Sequence, residues 1–270
     1  MKKERVDVLA FNQGLFETRE KAKRAIMAGQ VYDQNNERLD KPGEKIAETT
    51  QLQIKGQGLA YVSRGGLKLE KALQEFDLSI AGKHVLDIGS STGGFTDVAL
   101  QNGAQMSYAL DVGYNQLAWK IRQDERVVVM ERTNFRYSKP EDFTEGQPDF
   151  ATIDVSFISL KLILPPLKEI ICSGGDVVAL IKPQFEAGKA FVGKKGIVKE
   201  PSTHFNVLDD ITHFASQAGF DVEAITYSPI TGGEGNIEFL AHLKAGGPLG
   251  EMNPAIDLKE VVDQAHQQLR

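Results

Sequence analysis

Apolar residues change their rhythm near position 83, from helical spacing to short runs separated by turns. Before that point, RVDVLAFNQG places Val6, Leu9 and Ala10 at helical spacing, which predicts a short helix. Thr18 caps a second predicted helix, TREKAKRAIMAG. Its Ala22, Ala25 and Ile26 face inward, Glu20 and the basic residues face outward, and Gly29 stops it. Short strands follow: QVYD, a turn at Asn35-Asn36, a turn at Lys41-Pro42-Gly43-Glu44, then QLQIK. Residues 1–57 therefore read as a small α+β domain near the lower size limit for independent folding. Residues 58–82 read as a linker and connecting helix. Ser63 precedes GGLKLEKALQEF, whose Leu69, Ala72, Leu73 and Phe76 form a packing stripe, with Lys68 at the first turn beside it.

From Lys83 to residue 245 strands and helices alternate. Predicted strands are HVLDIG, QMSYALDV, VVVM, PDFATIDV, GGDVVALIK, VEAITYS and NIEFLAHL. Predicted helices are FTDVALQNG, NQLAWKIR, SLKLILPPLKEI (broken by its two prolines) and STHFNVLDDITHFASQAG, capped by Ser202 and ended by Gly219. Such repetition predicts a doubly wound α/β domain: a mostly parallel seven-stranded sheet covered on both faces. The last two strands are joined by a glycine-rich turn and no helix, so the final strand should run antiparallel. Residues 246–270 are expected to form a helical tail, PAIDLKEVVDQAHQQL.

The 41% hydrophobic content supports a real core in a chain of 270 residues. No apolar run approaches the roughly 18 residues needed to span a bilayer, and no apolar core follows MKKERVDVLA, so a cytoplasmic protein is expected. The single Cys172 excludes an intrachain disulfide framework and any multi-cysteine metal site. Five histidines (His84, His204, His213, His242, His266) show no ligand-like spacing with carboxylates and are read as structural; no metal site is expected. The net charge of −6 is uneven. Residues 1–60 carry eleven basic and nine acidic residues, about +2, leaving −8 on the remainder. That distribution suits a small binding module beside an acidic catalytic body.

Asp87-Ile88-Gly89-Ser90-Ser91-Thr92-Gly93-Gly94-Phe95 lies where the first strand turns into a helix. Its glycines allow a ligand to approach the backbone closely. It is neither G-x-G-x-x-G nor a triphosphate loop. An acidic residue at its head suits an ammonium or sulfonium ligand better than a pyrophosphate, which points to S-adenosylmethionine and away from NAD. Asp111 ends the second strand, seventeen residues after Gly94, where a carboxylate can accept ribose hydroxyls; capping the next helix is the other reading. Arg132-Thr133-Asn134 could reach an adenine edge. Asp154 and Lys182 end the fourth and fifth strands, where reactants collect in such folds, and Pro183 turns the chain after the lysine. Glu238 alternates with apolar Ile237 and Phe239 at the start of the last strand, with Glu234 as a nearby competitor. Lys68, Asp154, Lys182 and Glu238 thus gather at one pocket rim. Two amines and two carboxylates there suit proton handling on a weak acid such as a sugar hydroxyl.

These motifs resemble the hemolysin-A-type (TlyA-like) ribosomal RNA 2′-O-methyltransferases, which join an S-four-type RNA-binding domain to an FtsJ-like, Rossmann-like class I methyltransferase domain. The resemblance runs from about Arg5 to Leu243 through RVDVLAFNQGLFETREKAKRAIMAGQV, YVSRGGLKLEKAL, LDIGSSTGGFTD, ALDVG, IDVSFISL, LIKPQFE and GGEGNIEFL. It implies a catalytic Lys-Asp-Lys-Glu set at Lys68, Asp154, Lys182 and Glu238. It implies S-adenosylmethionine held by Asp87, Gly89, Ser90, Gly93, Gly94, Phe95, Asp111 and Asn134. It also implies a cytidine ribose in ribosomal RNA as methyl acceptor.

Under that reading Lys182 orients the 2′-hydroxyl and helps remove its proton, or stays charged and only positions the oxygen. Lys68 supplies a second cation or binds a phosphate, and the two carboxylates hold the amines. RNA contacts are expected from Arg19, Lys21, Lys23 and Arg24 on the second helix, from Arg64, and from a mobile loop bearing Lys189, Lys194, Lys195 and Lys199. Four other readings compete. Glu37-Arg38-Leu39-Asp40 superficially resembles a pseudouridine synthase motif but lies in a sheet turn. An NAD oxidoreductase lacks its phosphate fingerprint. A membrane-active lysin lacks a cationic amphipathic helix. A non-catalytic ribosome-assembly factor would need none of the tetrad.

Overall fold

The strands that carry the site are buried along their whole length: all four residues of Phe150–Ile153 and all five of Met106–Leu110. Such continuously buried runs fit only a sheet covered on both faces. The structure, a computed structural model, describes residues 3–35, 37–54, 60–232 and 235–269. The chain divides into two units, residues 1–64 and 65–270.

In the first unit, β1 (Lys3–Arg5) leads into α1 (Val6–Asn12), followed by α2 (Arg19–Met27) and β2 (Val31–Asp33). Two more strands follow, β3 (Lys45–Ala47) and β4 (Leu52–Ile54). β1 pairs antiparallel with β3, and β2 with β4. Thr18 caps α2, its side chain accepting from the Lys21 amide at 3.1 Å. Val6, Leu9, Ala22, Ile26, Val31 and Leu52 share one small core. The β1–β3 pair had no sequence signal, since KER alternates nothing apolar.

The second unit begins with α3 (Gly66–Glu75), so the connecting helix packs with the larger body. There follow β5 (His84–Ile88), α4 (Gly94–Gln101), β6 (Met106–Leu110), α5 (Trp119–Arg122), β7 (Val127–Met130) and β8 (Phe150–Ile153). Next come α6 (Leu164–Ile170), β9 (Asp176–Ile181), α7 (Pro183–Glu186) and α8 (Pro201–Gln217). The last elements are β10 (Phe220–Tyr227), β11 (Phe239–Ala245) and α9 (Leu258–Leu269). One seven-stranded sheet has the order β10-β11-β9-β8-β5-β6-β7. β5 pairs parallel with β6 and β8, while β11 runs antiparallel to both β9 and β10. The chain winds outward from β5 through β7, then returns to β8 on the other side. That reversal opens a crevice at the carboxyl ends of β5 and β8.

Three local expectations differ from the structure. α8 starts at Pro201 with Glu200 as its N-cap, so Ser202 lies inside the first turn. The prolines of SLKLILPPLKEI open α6, because proline fits a first turn whose amides need no partner. NQLAWKIR is helical only over Trp119–Arg122. Expectations at Asn36, Lys55 and Glu234 fall outside the described residues.

Gly89 sits at the crevice with φ +86°. A Cβ there would lie 2.5 Å from the carbonyl oxygen of Asp154, which is backbone and cannot turn aside. Gly89→Ala is therefore expected to destabilise the second unit by about 2 kcal/mol or more, read by urea unfolding.

Candidate active site

Lys68 lies on the buried face of α3 with Leu69, Ala72 and Leu73. α3 is docked by Lys71, whose Nζ donates to the carbonyl of Tyr227 at 2.7 Å and stands 3.5 Å from that ring's centre. A buried ammonium must be paired. Lys68 Nζ meets Glu238 Oε2 at 2.7 Å and Asp154 Oδ2 at 3.6 Å. Asp154 follows β8, and its other oxygen, Oδ1, lies 2.5 Å from Nζ of Lys182, which follows β9. The four side chains thus form an alternating chain, Glu238–Lys68–Asp154–Lys182, with no net charge. Lys68, Lys182 and Glu238 are buried; Asp154 is half-buried.

Residues that sequence reasoning passed over complete this cluster. Lys182 Nζ also reaches Ser156 Oγ at 3.1 Å, and Gln184 Nε2 donates to Glu238 Oε1 at 3.1 Å. Gly232 makes room for Glu238: a Cβ there would lie 2.0 Å from Oε1. Asn236 accepts from the Val198 amide at 3.0 Å and donates to the Gly196 carbonyl at 2.9 Å. It therefore ties the Gly196–Val198 end of the lysine loop to the start of β11. Ser156, Gln184 and Asn236 all lie within two residues of a tetrad member, which is the signal that could have found them.

On the cofactor side, Asp87 is fully buried and turned inward. Its two oxygens accept from Thr96 Oγ1 at 2.7 Å and Thr152 Oγ1 at 2.9 Å, tying β5 to α4 and β8. Burial pushes its carboxyl up to about 6, against the two hydroxyl bonds. Gly89, Ser90, Gly93 and Gly94 form the turn around it, and Phe95 packs into the interior. Asp111 stays at the rim. Its oxygens accept from the amides of Ser91 at 2.8 Å and Gly113 at 2.7 Å, which orients the carboxylate. A carboxylate has about four acceptor positions, so two remain for a ligand diol. Asn134 caps the turn after β7, accepting from the Arg136 amide at 3.2 Å.

Among the described residues, four non-glycine residues with positive φ line this edge: Ser91, Asn115, Arg132 and Phe157. They follow β5, β6, β7 and β8 in turn. Each costs about 1–3 kcal/mol and persists only where its surroundings hold it. Phe157 is 90% exposed and rests on Phe185 with ring centroids 4.9 Å apart. Phe157, Gln184, Phe185, Gly188, Lys189 and Val192 line a groove of about 450 Å³ beside the tetrad. Lys194 and Lys195 are exposed farther along the same loop.

In the first unit, Lys23 and Arg24 are exposed on α2, while Lys21 pairs with Glu17. Arg19 is held by the buried Asp7, 3.0 Å from its guanidinium, and Arg64 is exposed. Among the described residues, no group of His, Cys, Asp and Glu is arranged to hold a metal ion, and no helix is long and apolar enough to cross a membrane.

A family model described as FtsJ-like methyltransferase matches residues 61–245. YqxC of Bacillus subtilis (strain 168) is 62% identical over 271 residues, covering 100% of this chain and 96% of that protein. The 16S/23S rRNA (cytidine-2'-O)-methyltransferase TlyA of Mycobacterium tuberculosis (strain ATCC 25618 / H37Rv) is 39% identical over 268 residues, 97% of this chain and 96% of that one. A solved structure from Streptococcus thermophilus superposes with a TM-score of 0.80 at 61% identity, covering 99% of this chain and 97% of its own.

The inward Asp87 makes a stability prediction. Its folded-state value lies above that of an unfolded chain, so its contribution is fully present below about pH 4 and lost as pH rises through about 6. Asp87→Asn lacks this dependence. Between about pH 4 and 7 its urea unfolding free energy should gain on the order of 3 kcal/mol relative to wild type.

Proposed function

The chain belongs to the FtsJ-like methyltransferase family, and we propose that it methylates the ribose 2′-hydroxyl of a cytidine in ribosomal RNA, using S-adenosylmethionine in the cytoplasm. The observation that carries this reading is the alternating Glu238–Lys68–Asp154–Lys182 chain at the carboxyl ends of β8 and β9.

The residues present fit the cofactor. Gly89 and Gly93 leave no room for side chains at the turn, and Asp111 keeps two acceptor positions at the rim for ribose hydroxyls. When bound, S-adenosylmethionine supplies an electrophilic methyl group on a sulfonium. The chain must do the rest, which is alignment. A 2′-hydroxyl is a weak acid and a poor nucleophile. Fixing it in line with the methyl carbon contributes on the order of 7–11 kcal/mol at best. Lys182 holds the hydroxyl oxygen, and the Lys182–Asp154 pair takes up the proton it loses. Lys68 keeps Asp154 in place from the other side, itself held by Glu238. The groove beside Phe157 and Phe185 has the size and aromatic walls for the target nucleoside.

We assign RNA capture to the S-four-like first unit, with Lys23 and Arg24 as backbone contacts, to Lys189 at the groove and to Lys194 and Lys195 farther along its loop. Such contacts release counterions and make binding salt-dependent.

Two outcomes are expected. With labelled S-adenosylmethionine and purified ribosomal subunits, wild type places label on a ribose 2′-oxygen. Lys182→Ala lowers the rate by about 10²-fold or more while still binding the cofactor. Full methylation by that variant would remove Lys182 from the chemistry. In the full-length protein, Lys23→Ala with Arg24→Ala should flatten the plot of log affinity against log salt by about 2. An unchanged slope would take these residues out of the RNA interface.

A further inference from the structure

One half-buried carboxylate near the tetrad has no part in the mechanism above. Glu186 ends α7, four residues after Lys182. Its Oε2 accepts from Ser159 Oγ at 2.6 Å and its Oε1 from the Leu160 amide at 2.8 Å. Ser159 and Leu160 close the loop that begins at Asp154. The loops after β8 and β9 are therefore tied together at both ends. Asp154–Lys182 joins them at the base, and Glu186 with Ser159 and Leu160 joins them at the far end. Between the two ties lie Ser156, which meets Lys182, and Phe157, which has a positive φ, is almost fully exposed and rests on Phe185. A strained, solvent-exposed aromatic residue holds one conformation only if its flanks are fixed. Burial pushes the Glu186 carboxyl above its ordinary value, against its bonds to Ser159 and Leu160.

We propose that Glu186 is a positioning residue for methyl transfer: it fixes the far end of the Asp154–Ser159 loop and thereby sets where Asp154 and Phe157 stand against the substrate. The assignment rests on the methyltransferase reading. Glu186 touches neither substrate nor cofactor; it acts through the loop. Removing it leaves the fold and the cofactor turn intact but lets the loop sample other shapes, so substrate steps suffer and cofactor binding does not.

The test uses Glu186→Ala, Glu186→Gln and Ser159→Ala in the full-length protein, assayed for methyl transfer to ribosomal subunits. Glu186→Ala should lower kcat/KM for the subunit by about tenfold or more, since small misplacements at a reacting centre cost that much. Its affinity for S-adenosylmethionine and its melting temperature should match wild type. Glu186→Gln should return to within about threefold of wild type. Its amide oxygen can still accept from Leu160, and the Ser159 hydroxyl can turn to accept from its NH2 group. Ser159→Ala, which removes one tie, should fall between.

A readout without activity follows the loop itself. Trp119 is the single tryptophan, so Trp119→Phe with Phe157→Trp places one indole in the loop. Adding Glu186→Ala should lower its fluorescence anisotropy. Unchanged anisotropy, or wild-type kcat/KM in Glu186→Ala, would overturn the proposal. So would a parallel loss of cofactor affinity and melting temperature, which would mark a general structural role. Absence of transfer by wild type would sink the methyltransferase reading instead, and the anisotropy would still decide whether Glu186 holds the loop.

Discussion

Four alternating charges, Glu238, Lys68, Asp154 and Lys182, are the constraint on which this active site depends. Each comes from a different part of the second unit: the last strand, the connecting helix, and the ends of two parallel strands. Burying any one alone would cost several kcal/mol, and pairing them offsets that cost only if all four arrive together. The chemistry and the packing of α3, β8, β9 and β11 are thus one requirement. An element that drifted would strand a buried charge.

The sheet order brings the partners into reach. Winding out from β5 to β7 and back to β8 opens the crevice, and the antiparallel β11 delivers Glu238 beside β9. Close approach at the crevice is possible because Gly89 has no side chain to meet Asp154. Asp87 joins α4 and β8 to the same point through two threonine hydroxyls. Its burial is a standing cost that these ties make tolerable. The strained residues Ser91, Asn115, Arg132 and Phe157 all lie on the loops at this edge. Backbone strain gathers where the fold places reactants, and the rigid sheet beneath supports it.

α7 shows how a very short element can organise a site. Pro183 starts it, and its residues then reach outward: Gln184 to Glu238, Phe185 to Phe157, and Glu186 to Ser159 and Leu160. Lys182 stands just before it. Lys182, Gln184, Phe185 and Glu186 therefore join the tetrad, the groove wall and the loop after β8 within five positions.

Much of this was determined by the sequence alone. Apolar period and glycine turns are local properties, so they specified the seven strands, the antiparallel last one and the first-domain helices. The ends of strands are local too, which is why Asp111, Asp154 and Lys182 could be placed at the rim, and Glu238 at the start of the last strand. Tertiary structure decided what depends on distance between remote segments. Asp87 reads as a ligand-facing acid but turns inward, because Thr96 and Thr152 come from elements that only the folded sheet brings together. Ser156, Gln184, Glu186 and Asn236 carry no periodic signal; their roles exist only through partners up to 54 positions away. Pairing of Lys68 with Glu238 spans 170 positions. Local pattern can say that such a lysine lies on a helix's buried face, but only the packed sheet supplies the carboxylate that makes burying it possible.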